Sequence, residues 1–187
     1  MKPLLRTASA IDRMSDVVGR ATSWLVLAMV LLAAFNAIAR YLGRFLGVNL
    51  SSNAYLEAQW YIFSLIFLLC GGWALLRESH VRVDVLYSRL SDRARSWINI
   101  VGTALLLLPF SLFMLWVSWP SVRNSWIVRE GSPDPGGLPR WPLKPLILFC
   151  FALVVLQGIS QLIKEVNEIR TRTPGPERSQ AEALEGM

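Results

Sequence analysis

Long uncharged blocks alternate with short charged stretches along this chain. Three blocks have nineteen residues without Asp, Glu, Lys or Arg, and a fourth has twenty-seven. A helix of nineteen residues is about 28 Å long, close to the hydrocarbon thickness of a bilayer. The pattern predicts an all-α integral membrane protein with four transmembrane helices. We expect the spans at about 21–40, 57–76, 96–119 and 143–163.

Composition agrees with a membrane protein. The chain is 53% hydrophobic and 17% charged, which is too apolar for an ordinary soluble domain of this size. Seven of its eight tryptophans lie near predicted span ends, where an amphipathic indole is most stable. The net charge of +6 does not indicate nucleic acid, because the basic residues lie between apolar blocks. We therefore expect the folded part of the chain to lie in the lipid bilayer.

The basic residues predict the orientation. Thirteen of them fall in the N-terminal segment, the 77–95 connection and the C-terminal tail, against six in the other two connections. The side richer in Lys and Arg is normally cytoplasmic. Both termini are therefore expected in the cytoplasm.

The segments outside the spans have different characters. Residues 1–20 carry an apolar stripe at helical spacing, which favours an amphipathic helix on the cytoplasmic leaflet over a frayed tail. Residues 164–187 are expected to form a cytoplasmic tail, largely disordered after 173. The stretch SPDPGGLPRWPLKP before the fourth span predicts an extended external loop. Pro109 predicts a kink in the long third span.

No arrangement typical of catalysis or cofactor binding is present. His80 is the only histidine, whereas a b-type haem held between helices usually needs two axial ligands. Cys70 and Cys150 are predicted at different depths, so a disulfide is not expected. We expect no enzyme activity, no cofactor and no metal site. Uncharged polar residues in the spans are interpreted as helix–helix hydrogen-bonding groups in preference to a substrate site: Asn36, Ser64, Thr103, Ser111, Gln157, Ser160 and Gln161.

Two stretches of the sequence resemble a known family. The second span ends in RESHVRVDVL. The later stretch SPDPGGLPRWPLKPLILFCFALVVLQGISQLIK contains the fourth span and the loop before it. This order of segments resembles the small membrane subunit of TRAP (tripartite ATP-independent periplasmic) transporters, and the later stretch resembles the mannitol/chloroaromatic branch. The similarity covers roughly residues 11–170.

The resemblance implies a partner and a location. Such a subunit is a multi-pass protein of the bacterial inner membrane that pairs with a large multi-span permease, while an extracytoplasmic solute-binding protein delivers an organic acid or a related small solute. Uptake is driven by an ion gradient, and the large subunit moves as an elevator. The small subunit would be a non-catalytic scaffold, which agrees with spans that lack ionisable residues at depth.

Two other functions remain open at this point, namely the membrane anchor of a redox enzyme and a freestanding small carrier.

The resemblance to the TRAP small subunit implies candidate contact residues. The external loop would face the binding protein through Arg129, Glu130, Asp134 and Arg140, and contacts with the large subunit or the interface would involve Glu57, Trp60, His80, Arg82 and Asp84.

Overall fold

All regular elements in the described part of the chain are helices. The computed structural model describes residues 2–77 and 90–171. The α-helices are α1 (Lys2–Leu46), α2 (Asn53–Leu76), α3 (Asp92–Gly102), α4 (Leu108–Ile127) and α5 (Pro145–Thr171). A π-helical turn, Thr103–Leu107, joins α3 to α4.

Four helical segments are long and apolar enough to cross a membrane, as the sequence predicts. The third of them is α3, the π-helical turn and α4 taken together. Each segment continues beyond its apolar block. In particular, α1 includes both the first span and the segment expected to form a separate amphipathic helix, without a break at residue 20.

Local sequence explains where the helices begin and end. The Ser52 side chain accepts a hydrogen bond from the Ala54 N–H at the start of α2, and Ser91 caps α3 in the same way, as short hydroxyl residues commonly do. Gly47, directly after α1, has a φ of 65°, a left-handed conformation that glycine adopts without strain. The π-helical turn precedes Pro109, where the sequence predicts a kink and where the proline supplies no N–H to the helix.

Helix α5 is the centre of the fold. It packs against α1, α2, α3, the π-helical turn and α4, while α1 and α2 also pack against each other. Glycines allow close approach: a Cβ on Gly72 would lie 3.2 Å from Leu153 Cβ, and one on Gly158 would lie 2.8 Å from a Leu107 methyl carbon. Both cysteines are free and half-buried.

The distribution of polar and apolar residues suits a lipid environment. Among the described residues, nine polar but only four hydrophobic side chains are buried. Large apolar residues such as Trp24, Phe45 and Trp116 are mostly exposed. Such an arrangement would be unstable in water, because it leaves the apolar faces of the helices uncovered.

Candidate functional site

The segment between α4 and α5 folds back onto the beginning of α2. We call residues 128–144 the outer loop, and the end of the bundle that carries it the outer end. The Ser132 hydroxyl and the Leu138 N–H donate hydrogen bonds to the two carboxylate oxygens of Glu57. The Tyr61 hydroxyl lies 2.8 Å from the Pro139 carbonyl oxygen, and the Asn53 amide donates to the Pro135 carbonyl at 3.0 Å. One face of α2 therefore holds the loop.

Gly137 permits this close contact. A Cβ at this position would lie 2.6 Å from both carboxylate oxygens of Glu57 and 2.4 Å from the Ser132 hydroxyl oxygen. The preceding Gly136 has a φ of 72°, which a larger residue adopts only with strain. The glycine pair predicted to break regular structure here thus also brings the loop backbone against the carboxylate.

Glu130 braces the loop from the other side. Its carboxylate pairs with Lys144, and its carbonyl oxygen accepts hydrogen bonds from the Arg140 and Trp141 N–H groups, at 2.9 and 3.2 Å. The hydrogen bond from Lys144 holds the pKa of Glu130 below its usual value. The Trp141 ring meets Trp126 edge-to-face at 4.7 Å. The carboxylate and the carbonyl oxygen of Glu130 are therefore both engaged within the chain.

The other three residues of the expected docking surface are exposed. Arg129 is the second residue after the end of α4 and has a φ of 48°. Asp134 and Arg140 line a pocket at the outer end, together with Trp60. The structure thus separates the four candidates into one internal brace and three accessible side chains.

The residues expected at the large subunit or the interface are also separated. Glu57 is turned toward the outer loop, whereas Trp60 is 75% exposed on α2. His80, Arg82 and Asp84 lie outside the described residues, as does the tail expected to be disordered after 173.

A polar cluster ties the opposite, inner end of the bundle together. Asp12 on α1 accepts hydrogen bonds from the Gln157 amide at 2.9 Å and the Ser160 hydroxyl at 2.7 Å, and it pairs with Lys164. The Ser15 hydroxyl donates to the Gln157 side-chain oxygen at 2.7 Å. Helices α1 and α5 are therefore joined by groups that satisfy one another.

A second carboxylate ties α1 to α2. Asp16 pairs with Arg77 at 2.7 Å and accepts a hydrogen bond from the Trp73 indole at 3.3 Å. Gly19 lies one turn further along α1 and faces the same indole, since a Cβ there would be 2.2 Å from Trp73 Cγ. The apolar stripe of residues 1–20 predicts a helix on the membrane surface, and it gives no partner for either carboxylate.

The spacing of polar residues in the sequence indicates this cluster. Asp12 and Asp16 are four residues apart on α1, and Gln157, Ser160 and Lys164 follow each other at helical spacing on α5, so each set shares one face. The pairing of the two faces depends on how the helices cross. The interpretation of Gln157 and Ser160 as helix–helix hydrogen-bonding residues agrees with the contacts observed.

The arrangement is structural in its chemistry. In the parts of the chain that the structure describes, no group of three or more His, Cys, Asp or Glu residues could hold a metal ion. The carboxylates of Asp12, Asp16, Glu57 and Glu130 each accept hydrogen bonds or pair within the bundle or its loop. They hold helices and the outer loop in place.

Comparison with known proteins identifies the family. No curated protein and no solved structure matches the chain. A family model described as the DctQ component of the tripartite ATP-independent periplasmic transporters matches residues 29–168, which is most of the chain. The match does not distinguish the mannitol/chloroaromatic branch, which stays a prediction. The chain belongs to the DctQ family and is a component of an inner-membrane TRAP transporter, not an enzyme.

Proposed function

We propose that this subunit is the stationary scaffold of an ion-gradient-driven, binding-protein-dependent uptake system for organic acids or related small solutes. It would brace a large permease subunit that moves as an elevator. The observation that carries the proposal is the lack of charged residues in the middle of the spans. The apolar blocks contain no Asp, Glu, Lys or Arg, whereas a route for ions or charged solutes normally places an ionisable group at depth.

The use of the polar side chains supports the same function. Gln157 and Ser160 are engaged with Asp12 and Ser15, and Asn36 accepts a hydrogen bond from the Ser51 hydroxyl at 3.0 Å. Gln157 and Ser160 thus join α5 to α1, and Asn36 holds the connection between α1 and α2, so these groups are not free to line a path for solute. Close helix contacts at Gly72 and Gly158 favour a rigid helical bundle, as a stationary scaffold requires.

Exposed helix faces leave room for a partner. Helix α4 packs mainly against α5, and its outward side carries Phe113, Trp116 and Trp119 in exposed positions. Apolar faces of this extent can contact lipid or the helices of a larger membrane protein. We assign the large permease to part of this surface.

Reconstitution tests the scaffold proposal. The chain alone in liposomes should give no solute uptake, even with an ion gradient and the binding protein present. Addition of its large permease should restore uptake. Robust transport by the isolated chain would contradict the proposal, because it would require a pathway through these four spans.

The outer loop is our proposed docking surface for the binding protein. Arg129, Asp134 and Arg140 are exposed there, and the hydrogen bonds to Glu57 fix the loop that carries them. A fixed charged surface favours fast and oriented encounter with a partner. Glu130 would act indirectly, by holding the loop through Lys144.

Charge reversal tests the docking surface. Arg129→Glu combined with Arg140→Glu should lower binding-protein-dependent uptake by the complete transporter, with a larger effect at low salt. Arg44→Glu, at the end of α1 and outside the outer loop, is the matched control and should have little effect. Unchanged uptake in the double variant would exclude docking through these two side chains.

A further inference from the structure

A pocket at the outer end of α2 has no part in bracing the permease, although two of its residues, Asp134 and Arg140, also belong to the proposed docking surface. It has a volume of about 500 Å³, within the range of about 300–1,000 Å³ typical of small-molecule sites. Leu56, Trp60 and Leu143 give it an apolar lining, and Asp134 and Arg140 add charged groups. The pocket lies where α2 begins, which is the level of lipid headgroups for a helix that spans the bilayer from this end.

The charges of the pocket leave one cation and one anion available. Glu57 and Lys144 also line it, but Glu57 accepts hydrogen bonds from the outer loop and Lys144 pairs with Glu130. Asp134 and Arg140 are exposed and form no direct ion pair with any described residue, and Arg140 interacts with Glu57 and Glu130 only over a longer distance. A ligand with one negative and one positive group would complement them.

An apolar stripe leads away from the pocket along α2. Leu56, Trp60, Phe63 and Phe67 are spaced by four, three and four residues, so they lie on one face of the helix. All four are exposed, and Trp60, Phe63 and Phe67 are at least 57% exposed. Phe63 and Phe67 stack at 6.4 Å. The stripe could cover an acyl chain that descends from the pocket into the bilayer.

We propose that this pocket binds one phosphatidylethanolamine molecule of the outer leaflet. The phosphate lies against the Arg140 guanidinium, the primary ammonium group donates hydrogen bonds to Asp134, and one acyl chain follows the stripe from Trp60 to Phe67. An anionic headgroup would satisfy Arg140 but leave Asp134 beside a negative charge. A quaternary ammonium group has no N–H to donate to the carboxylate. The bound lipid would fix the outer loop relative to the membrane surface.

Native mass spectrometry of the purified full chain tests the site. The protein is mixed with equal amounts of phosphatidylethanolamine, phosphatidylglycerol and phosphatidylcholine, and the retained lipids are counted. The wild type should retain phosphatidylethanolamine preferentially. Arg140→Gln should reduce this retention about tenfold, since it removes a charged hydrogen-bond donor. Arg129→Gln, which changes an exposed arginine of the same loop outside the pocket, should retain the lipid as the wild type does.

A second set of variants separates the headgroup contacts from general loss of structure. Asp134→Asn should remove the preference for phosphatidylethanolamine over phosphatidylglycerol without reducing total lipid retention. Arg140→Lys should keep most of the binding, because it keeps the positive charge. Thermal unfolding midpoints equal to that of the wild type would show that the variants are folded.

Three outcomes would overturn the proposal. One is a wild-type chain without preference among the three lipids, and another is equal loss of lipid in Arg129→Gln and Arg140→Gln. The third concerns the complex with the large permease. If phosphatidylethanolamine binds the isolated chain but is absent from the complex, a permease helix covers the pocket in the working transporter.

Discussion

Single small residues determine how closely parts of this protein approach. Gly19 allows the Trp73 ring to lie against α1, and Gly137 allows the outer loop to lie against Glu57. In both places the neighbour is part of a hydrogen-bonded group, since Trp73 donates to Asp16 and Ser132 donates to Glu57. A side chain added at either glycine would therefore disturb packing and a polar contact together.

Replacement of Gly19 by alanine should destabilise the bundle. The new Cβ would be 2.2 Å from Trp73 Cγ, so the indole must move and its hydrogen bond to Asp16 must lengthen. We expect the free energy of unfolding to fall by about 1–3 kcal/mol, the usual cost of overpacking. Thermal unfolding in detergent measures the change.

Gly102 provides the matched control for this substitution. It lies at the end of α3, and a Cβ there would have no atom within 4 Å. Gly102→Ala should leave stability unchanged or raise it by up to about 1 kcal/mol, because alanine favours helix. Equal destabilisation by both substitutions would show that contact with Trp73 is not the cause.

The pair between Glu130 and Lys144 predicts a pH dependence. Its hydrogen bond lowers the pKa of Glu130 from the usual value of 4.5. A carboxylate with a lowered pKa stabilises the folded state above its unfolded pKa, and this contribution is lost as the pH falls through the folded pKa. Wild type should therefore unfold at a higher temperature than Glu130→Gln at pH 7, and the difference should vanish at a pH well below 4.5.

The reciprocal variant checks this interpretation. Lys144→Met removes the same pair from the other side, so it should also lower the unfolding temperature at pH 7. A difference between wild type and Glu130→Gln that persists unchanged into strong acid would assign the effect to packing of the outer loop instead of charge.

At the scale of the helices, α1 extends farther than its apolar block. Residues 2–20 continue the helix of the first span and place Asp12 and Asp16 against α5 and α2. The family match begins only at residue 29, so the two carboxylates lie outside the matched region, whereas their partners on α2 and α5 lie inside it. The N-terminal part of α1 is thus an integral part of this bundle.

Loss of the Asp12 charge should weaken the contact between α1 and α5. Asp12→Asn removes the ion pair with Lys164 and leaves the Gln157 and Ser160 donors with a poorer acceptor. We expect a loss of about 1–3 kcal/mol in the free energy of unfolding, with faster amide hydrogen exchange in residues 2–20. Both are measurable on the purified chain.

Two further variants assign this effect to the contact between helices. Ser9→Ala is the control on the same helix, because the Ser9 hydroxyl donates to the Leu5 carbonyl of its own helix. A double-mutant cycle of Asp12→Asn with Lys164→Met should show coupling of about 0.5 kcal/mol or more. Additive effects would mean that the two residues act independently.

The sequence predicts the number of spans better than their ends or contacts. Hydropathy detects the residues suited to lipid, but helical hydrogen bonding continues into polar sequence until a cap or a left-handed residue such as Gly47 ends it. Helix α4 accordingly continues to Ile127, and α5 to Thr171. The two helices therefore continue about eight residues past the ends predicted for the third and fourth spans, 119 and 163.

The candidate site was predictable in its residues but not in their partners. Glu57 and the Pro/Gly-rich loop are visible in the sequence as an acid and a turn-rich stretch, more than 70 residues apart. Their contact depends on the arrangement of α2, α4 and α5 in space. The pairing of Glu130 with Lys144 could likewise not be distinguished from exposure by residue type alone.

The whole molecule combines a polar inner end, an apolar middle and a charged outer loop. Asp12 and Asp16 lie at the same end as Lys164 and Arg77, and the outer loop lies at the other end of α2 and α5. The excess of basic residues on the first side predicts that it is cytoplasmic. This orientation determines which partner can reach which surface.

Cysteine labelling in spheroplasts tests the orientation. In a background with Cys70→Ala and Cys150→Ala, Arg129→Cys should react with a membrane-impermeant maleimide in intact spheroplasts, because residue 129 is exposed on the outer loop. Arg6→Cys, exposed near the start of α1, should react only after the membrane is permeabilised. The cysteine-free parent is the control for background labelling. The reverse pattern would place the outer loop in the cytoplasm, where an extracytoplasmic binding protein cannot reach it, and would contradict both the docking surface and the outer-leaflet lipid site.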